Sequence, residues 1–389
     1  MHRTIYDETH EAFRDSFRAF VTSEIVPNHD EWERAGRVDR AMFRVAGENG
    51  FLGMAVPETY GGLGQDDFRF NAVINEELQR ANVVGSGMCI TLHNDVVLPY
   101  LLNATTEEQR RRWLGGYVTG ERMGAIAMTE PGAGSDLAAL STTAVRDGDQ
   151  FVVNGTKTFV TNGLNADLFL VAVRTDPDDR HGGISLLVIE DGTPGFGHGR
   201  HLDKIGLRSQ DTAELFFDDA RVPAENLVGG EGNGFKILMG KLAQERLALS
   251  VSAIAAARAA LTWTVQYCAE RELFDSRLLD LQNTRFVLAD LSTEIEVGQA
   301  FVDRLIADHL RGDVAADDAA RAKLWTTELQ QRVLAKCLQL HGGYGFMREF
   351  PIARAYVDAR VQTIFGGSNE VMREIIGRGL ERTYGGGPA

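Results

Sequence analysis

Glu245 is the residue that most needs a chemical explanation. It lies in Lys241-Leu242-Ala243-Gln244-Glu245-Arg246-Leu247-Ala248-Leu249, and the spacing 238, 242, 245, 249 puts Leu238, Leu242, Glu245 and Leu249 on one helical face. A carboxylate among leucines loses hydration, its charged form is disfavoured, and it becomes a better proton acceptor than an exposed glutamate. The same burial suits one half of an ion pair with a distant arginine, so spacing alone leaves both roles open. Arg246, directly after it, could meet a ligand or form an ordinary structural pair.

Other stretches combine glycine with hydroxyl, amide or aromatic groups. Ala127-Met128-Thr129-Glu130-Pro131-Gly132-Ala133-Gly134-Ser135-Asp136 runs from a strand end into a turn. Its backbone could approach a ligand closely while Thr129 and Ser135 donate to phosphate or ring atoms; equally, it could be a tight turn capped by its own aspartate. Phe159-Val160-Thr161-Asn162-Gly163 sets an aromatic and a hydroxyl two residues apart on one strand face, fit either to stack on a planar ring or to fill a core. Gln339-Leu340-His341-Gly342-Gly343-Tyr344-Gly345-Phe346 and Phe365-Gly366-Gly367-Ser368-Asn369-Glu370 each place a glycine pair near a helix end, where an anion could sit. No G-x-G-x-x-G follows a strand, which disfavours a Rossmann nucleotide site.

The elements that must position these residues fall into three parts: helices over 1–122, a small antiparallel β domain over 123–232, and a helical bundle over 233–389. The class is α+β. In the first part, Phe13, Phe17, Phe20 and Val21 recur at helical spacing toward Pro27, which ends or bends that helix. Helices are expected over 41–49, 68–80 and 86–102, with a glycine-rich loop at Val56–Gly64 and a capping box at Thr105-Thr106-Glu107-Glu108. In the second part, Asn154-Gly155 reads as the tip of a hairpin spanning 151–160, and further strands fit 123–128, 168–174, 183–189 and 213–218. In the third, an alanine-rich helix around 255–260 precedes the apolar stripes Leu288, Leu291, Ile295, Val302, Leu305 and Trp325, Leu329, Val333. Gly385 to Ala389 reads as a frayed tail.

Charge narrows the partners. The 40 Lys and Arg against 55 Asp and Glu give a net charge of −15, which argues against nucleic acid or an anionic membrane but not against an anionic small molecule. Cys89, Cys268 and Cys337 show neither CxxC nor metal-ligand spacing, so they read as reduced thiols, no metal is expected, and a reducing cytoplasm suits the chain. The first fifteen residues hold four acids and no apolar core, and nothing later approaches eighteen uninterrupted apolar residues, so neither a targeting segment nor a membrane span is expected.

Together the motifs resemble the acyl-CoA dehydrogenase family over nearly the whole chain. Ala127 to Asp136 is similar to its first signature, and Gln339, Gly342-Gly343-Tyr344-Gly345, Glu349, Arg354 and Asp358 to its second. The resemblance implies the family's fold, with a C-terminal four-helix bundle, and a noncovalent FAD in each subunit of a homotetramer built as a dimer of dimers. Ile126, Ala127, Met128, Thr129, Gly134, Ser135, Phe159, Val160 and Thr161 would cradle the flavin, with Ser368 and Asn369 completing its pocket. Arg271, Phe274, Gln282, Gln339, Leu340, Gly342 and Gly343 would reach the FAD of a neighbouring subunit, Arg271 on the pyrophosphate. Asp275 departs from the family's Arg-x-x-Phe-Gly and brings a negative charge close to that contact.

The base is a second departure. Many relatives carry the catalytic glutamate directly before the second glycine of the segment aligned with Phe365-Gly366-Gly367, where this chain has Gly366. The branch that includes long-chain and isovaleryl-CoA dehydrogenases carries it before an Arg-Leu pair, as in Gln244-Glu245-Arg246-Leu247. Glu370 competes, but a first-turn acid after Ser368 more commonly favours the helix dipole. The implied reaction is α,β-dehydrogenation of an acyl-CoA to a trans-2-enoyl-CoA, in fatty-acid β-oxidation or branched-chain catabolism. Glu245 would take the α-proton, flavin N5 the β-hydride, and an electron-transfer flavoprotein the electrons. The Gly366 N–H would hold the thioester oxygen, and Ser135 and Arg246 would contact the acyl-CoA. Gly85, Ser86 and Gly87 fall in a region bordering the family's acyl cavity, which favours a deep pocket, or they form a helix-capping turn. The rival readings are an acyl-CoA oxidase using O2 and a non-catalytic FAD or acyl-CoA binding subunit.

Overall fold

The computed structural model describes residues 3–385. The first helices are α1 (Glu8–Phe20), α2 (His29–Ala35), α3 (Arg40–Glu48), α4 (Phe68–Arg80), α5 (Val84–Thr91), α6 (Leu98–Asn103) and α7 (Glu107–Thr119). Asp7 caps α1 by accepting from the Thr9 and His10 amides, and the His10 side chain answers the Asp7 amide. The phenylalanines face inward as their spacing requires, packing Phe17, Phe20, Phe43, Phe51 and Phe70 into one core. Pro27 bends the chain without ending it: a π turn (Val21–Ile25) and a 3-10 turn (Val26–Asn28) carry the helix on into α2.

Two expectations in this part need correction. The single helix read over 86–102 is α5 and α6 separated by a π turn, Leu92–Val97, which shifts the residues after it around the helix axis. The cap of α7 is Thr106 with Gln109 answering, not Thr105 with Glu108; the Thr105 hydroxyl bonds back to the Leu101 carbonyl instead. Gly85, Ser86 and Gly87 lie buried within α5 and form no capping turn. A Cβ at Gly87 would sit 2.2 Å from Leu78, and one at Gly85 2.7 Å from the Ser209 hydroxyl, so helix packing accounts for both small residues.

The strands are β1 (Gly124–Ala127), β2 (Thr143–Asp147), β3 (Gln150–Thr161), β4 (Leu168–Arg174), β5 (Ile184–Glu190), β6 (Phe196–His201), β7 (Thr212–Pro223) and β8 (Leu227–Val228). They join in the order β6-β7-β3-β2-β4-β5-β8, with β1 alongside β4. The sheet is mixed, not purely antiparallel, because β1 and β2 both meet β4 in parallel. Asn154-Gly155 is not a hairpin tip either. β3 runs straight through it, and the register with β7 slips from Val153↔Ala220 to Gly155↔Phe217, so Asp218 and Asp219 of β7 bulge opposite Asn154. The long partner β7 keeps Asn-Gly in the strand rather than in a turn. A Cβ on Gly155 would lie 2.7 Å from the Thr142 Cα, so only glycine fits. The chain reverses at Gly148, between β2 and β3.

After the sheet come α8 (Gly234–Glu270), the short hairpin β9 (Glu272–Leu273) and β10 (Ser276–Arg277), and then α9 (Gln282–Leu310), α10 (Ala316–Leu340), α11 (Pro351–Ala359) and α12 (Asn369–Tyr384). The long helices α8, α9 and α10 pack around Val251, Ile254, Ile295, Val302, Leu329 and Val333, with α11 on α8 and α10 and α12 on α10. Of the described residues, only those of α8 make a helix long and apolar enough to cross a membrane. Most of that stretch is buried among α4, α9, α10 and α11. The three cysteines are free and buried. The tail read at 385–389 lies, from Gly386 on, outside the described residues.

Candidate active site

The helical face that carries Glu245 is buried in the structure. Leu238 is fully buried, Leu242 and Leu249 are half-buried, and Glu245 is 6% exposed. Burial pushes its pKa up to about 7, against a hydrogen bond from Tyr100 and the charge of Arg246, which both pull it down. Tyr100 Oη donates to Glu245 Oε1 at 2.7 Å. The π turn before α6 sets the helical phase on which Tyr100 faces α8.

The Gly366-Gly367 turn packs against α8 beside Arg246 and Leu249, the neighbours of Glu245. Both glycines have positive φ, +63° and +87°. A Cβ on Gly366 would come within 2.3 Å of Leu249 Cδ1, one helical turn after Glu245, and the positive φ would strain any side chain, so the position where many relatives carry the base favours glycine here. Arg246 Nη2 lies 3.8 Å from the corresponding point on Gly367. The fold thus sets the Gly366-Gly367 turn against Arg246 and Leu249, which flank Glu245 on α8. Ser368 caps α12 through the Val371 amide, and Asn369 is buried beneath the turn.

The glycine and hydroxyl loop forms one edge of the sheet with the β3 bulge. Ile126 and Ala127 end β1, and the Thr129 carbonyl accepts from the Thr158 amide at 2.9 Å. Lys157 Nζ, fully buried, donates to the Met128 carbonyl at 3.2 Å and to Glu130 at 2.8 Å, while Glu130 accepts from Ser141 and Thr142. Gly134 and Ser135 are exposed at the tip. Val160 is buried, Thr161 half-buried, and Phe159 stands 68% exposed at φ +57°. Simple strand alternation is not what turns Phe159 out; a second register slip, between Lys157 and Val160, does. A bulky residue in that strained conformation, its ring in the open, is suited to stacking on a ligand.

Arg271, Gln339, Leu340, Gly342 and Gly343 gather elsewhere. An open cleft is lined by Tyr267, Arg271, Leu278, Gln339, Gly342 and Gly343. Phe274 on the adjoining hairpin and the exposed Gln282 at the start of α9 are not among the residues lining that cleft. Nothing would meet a Cβ within 4 Å at Gly342 or Gly343, which leaves their backbone open to a ligand. Phe274 is 84% exposed at φ +51°, and Asp275 follows at φ +59°, the two-residue turn of a type I′ hairpin. That conformation explains why glycine suits position 275, and aspartate is among the few other residues that tolerate it. The structure does not bring this group to Glu245: from position 245 to 271 the helix advances roughly 39 Å at about 1.5 Å per residue.

Comparison with known proteins decides the family. Three family profiles match in order: "Acyl-CoA dehydrogenase, N-terminal domain" at 7–121, "middle domain" at 125–220 and "C-terminal domain" at 232–381. The chain belongs to the acyl-CoA dehydrogenase family. It is 45% identical to the long-chain specific acyl-CoA dehydrogenase of Sus scrofa over 378 residues, 97% of this chain and 87% of that protein. The crystal structure of an acyl-CoA dehydrogenase from Geobacillus kaustophilus superposes with a TM-score of 0.95 at 51% identity, over 97% of this chain and all of that one (100%). That of a glutaryl-CoA dehydrogenase from Mycobacterium smegmatis in complex with FADH2 does so with a TM-score of 0.89 at 26% identity, over 99% of this chain and 96% of that one.

Within this dehydrogenase the two candidate carboxylates differ sharply. Glu370 is exposed at the start of α12, and hydrogen bonds from its own amide and from Ser368 hold its pKa below the usual carboxylate range. A raised pKa alone does not single out Glu245, since burial also pushes Asp95 and Asp358 to about 7. Those two face other groups: Asp95 accepts from Asn71 and Asn75, and Asp358 from the Leu207 amide. Sequence reasoning missed Tyr100 and Lys323. The available signal was a phenol and an ammonium inside apolar stripes, each needing a partner that spacing does not name.

Proposed function

We propose that Glu245 is the base that removes the α-proton of an acyl-CoA, and that the Gly366 N–H steadies the thioester oxygen as it gains charge. The observation that carries this reading is the pairing of a buried, Tyr100-bonded carboxylate with a bare backbone turn whose positive φ favours glycine. A base titrating at about 7 is matched to neutral pH: ionised often enough to act, and basic enough to accept a proton from carbon. Burial excludes water from the developing enolate, and Arg246 supplies a positive charge beside it. Ser135 and Arg246 flank the path of the substrate.

The reading assigns FAD to the edge formed by Ile126 to Ser135 and Phe159 to Thr161, with Ser368 and Asn369 beneath. The exposed, strained Phe159 and the open hydroxyl loop suit a flat ring. When bound, FAD supplies the acceptor for the β-hydride. Arg271, Phe274, Gln282 and the Gln339 to Gly343 loop serve the FAD of another subunit, because they lie too far along α8 to serve the same molecule as Glu245. That arrangement calls for at least a dimer, and the reading is a homotetramer. An electron-transfer flavoprotein is the proposed electron acceptor. The unbridged cysteines fit a reducing cytoplasm.

The test is anaerobic mixing of the holoenzyme with acyl-CoAs from C4 to C18 and isovaleryl-CoA, read as loss of flavin absorbance. Wild type is expected to bleach and Glu245→Gln to bind FAD and acyl-CoA without bleaching. Normal bleaching in Glu245→Gln, with loss in Glu370→Gln, would move the role to Glu370. Steady peroxide formation without an added acceptor would favour an oxidase, and no turnover with any acyl-CoA a binding subunit.

A further inference from the structure

The Gly366-Gly367 turn is held from α10 by a lysine. Lys323 sits on α10 among Ala319, Ala320, Ala322 and Thr326, and it is fully buried. Its Nζ donates to the Gly367 carbonyl at 2.8 Å and to Asn369 Oδ1 at 2.9 Å. Thr327, one turn further on, hydrogen-bonds the same asparagine at 3.2 Å. Two polar anchors from α10 therefore fix the residues on either side of Ser368.

The charge of this lysine is not explained by an ion pair. Burial, together with the charge of Arg246 on α8, lowers its pKa to about 8, and only Glu370, exposed at the start of α12, acts in the opposite direction. Among the described residues neither Lys323 nor Arg246 makes an ion pair, and the buried Arg246 Nε has no hydrogen-bond partner. A buried cation without a carboxylate is costly, and an apolar residue of similar volume would pack at least as well. Arg246 has the Glu245 carboxylate beside it, whereas the cost of burying Lys323 is accounted for by a negative charge that arises at the turn only during reaction.

We propose that Lys323 is a positioning residue for the dehydrogenation: by clamping the Gly367 carbonyl and Asn369 it aims the Gly366 N–H at the thioester oxygen, and with Arg246 it favours the enolate over the neutral thioester. The inference rests on the acyl-CoA reading above. In the step concerned, the α C–H bond breaks, the proton goes to Glu245, and the electron pair spreads onto the carbonyl oxygen. In a 3-thiaacyl-CoA, sulfur replaces the β-carbon and there is no β-hydride to lose, so the pair returns to the α-carbon with a proton that has exchanged with solvent. Exchange of the α-hydrogens in D2O thus isolates the enolate step from oxidation.

The experiment compares wild-type, Lys323→Met and Lys323→Gln holoenzymes with 3-thiaoctanoyl-CoA in D2O, following α-exchange by mass spectrometry, alongside kcat and KM for octanoyl-CoA, FAD content and Tm. Lys323→Met is expected to lower exchange and kcat together by about a hundredfold, as loss of an aligned oxyanion donor does. Its KM should stay within about threefold, the mark of an interaction made mainly in the transition state, and its FAD content should not change. Lys323→Gln keeps an N–H donor within reach but drops the charge, and should recover about tenfold of the loss. Should Lys323→Met fail to fold, Lys323→Gln carries the test through the same tenfold deficit relative to wild type. Wild-type exchange rates in either variant, or a loss that tracks FAD release, would overturn the role of Lys323 and leave the acyl-CoA reading intact. A wild-type enzyme that neither exchanges 3-thiaoctanoyl-CoA nor oxidises any acyl-CoA would remove the ground for both.

Discussion

The two ends of α8 present opposite surroundings to equally unusual residues. At the near end Glu245 is enclosed by its own chain, with Tyr100 from α6, Leu249 from the same helix and the Gly366 turn from before α12. At the far end Arg271 and Phe274 project into the open, Phe274 in a conformation that an aromatic residue avoids unless something compensates. The near end is closed by residues of one chain, whereas the far end is an open cleft, which under the proposed reading receives the FAD of a second copy. One helix thus joins a closed chemical site to an open cleft, and the two should fail in different ways when mutated.

The largest effect is expected at the near end. Glu245→Gln should slow flavin reduction by about a thousandfold or more at pH 8 while leaving FAD content unchanged, because general-base catalysis is typically worth 10²–10⁴-fold and no other buried carboxylate adjoins the turn. Stopped-flow absorbance checks it, with Glu370→Gln as the companion that should stay near wild type. Next is the far end: combined Arg271→Ala and Phe274→Ala should weaken FAD retention by about ten- to a hundredfold, that is, about 1.4 kcal/mol per tenfold. The same variant should shift the protein toward smaller assemblies in sedimentation. Full retention of FAD and assembly in that variant would erase the contrast between the ends.

Subtler tests follow. Tyr100→Phe removes a donor that favours the ionised form of Glu245, so its pKa should rise and the acid limb of kcat/KM should move to higher pH. Glu245 has a raised folded pKa, so its ionisation lowers stability as pH climbs from the unfolded carboxylate range through about 7. The Tyr100 bond offsets part of that loss. Tyr100→Phe should therefore cost more stability at pH 8 than at pH 5, up to about 1.5–3 kcal/mol for a bond to a charged group, measured by denaturant titration at both pH values. The smallest expected change is Asp275→Gly. It relieves a left-handed residue and removes a negative charge beside Arg271, so it should raise stability by no more than about 1 kcal/mol and tighten FAD binding a few-fold.

Local pattern made much of this molecule legible. The phenylalanine spacing of α1, the strands at 168–174 and 184–190, and the leucine face around Glu245 are all set by side-chain periods that span a few residues. The glycine-rich motifs marked where the backbone had to be bare. The motif resemblance then singled out position 245, because Gly366 occupies the place where many relatives carry the acid.

Tertiary structure decided the rest. Asn154-Gly155 stays in strand, opposite a bulge in β7, and does not form a hairpin because β7 pairs along the whole length of β3, a choice made by residues about sixty positions away. Tyr100 meets Glu245 across 145 residues of sequence, and Lys323 meets Gly367 across 44. The sequence by itself determined which residues could be buried, turned or left bare, since those preferences act within a helical turn or a strand pair. Only the folded chain decided which distant donor satisfies each buried acceptor, because such partners are chosen by packing between elements and leave no period to read.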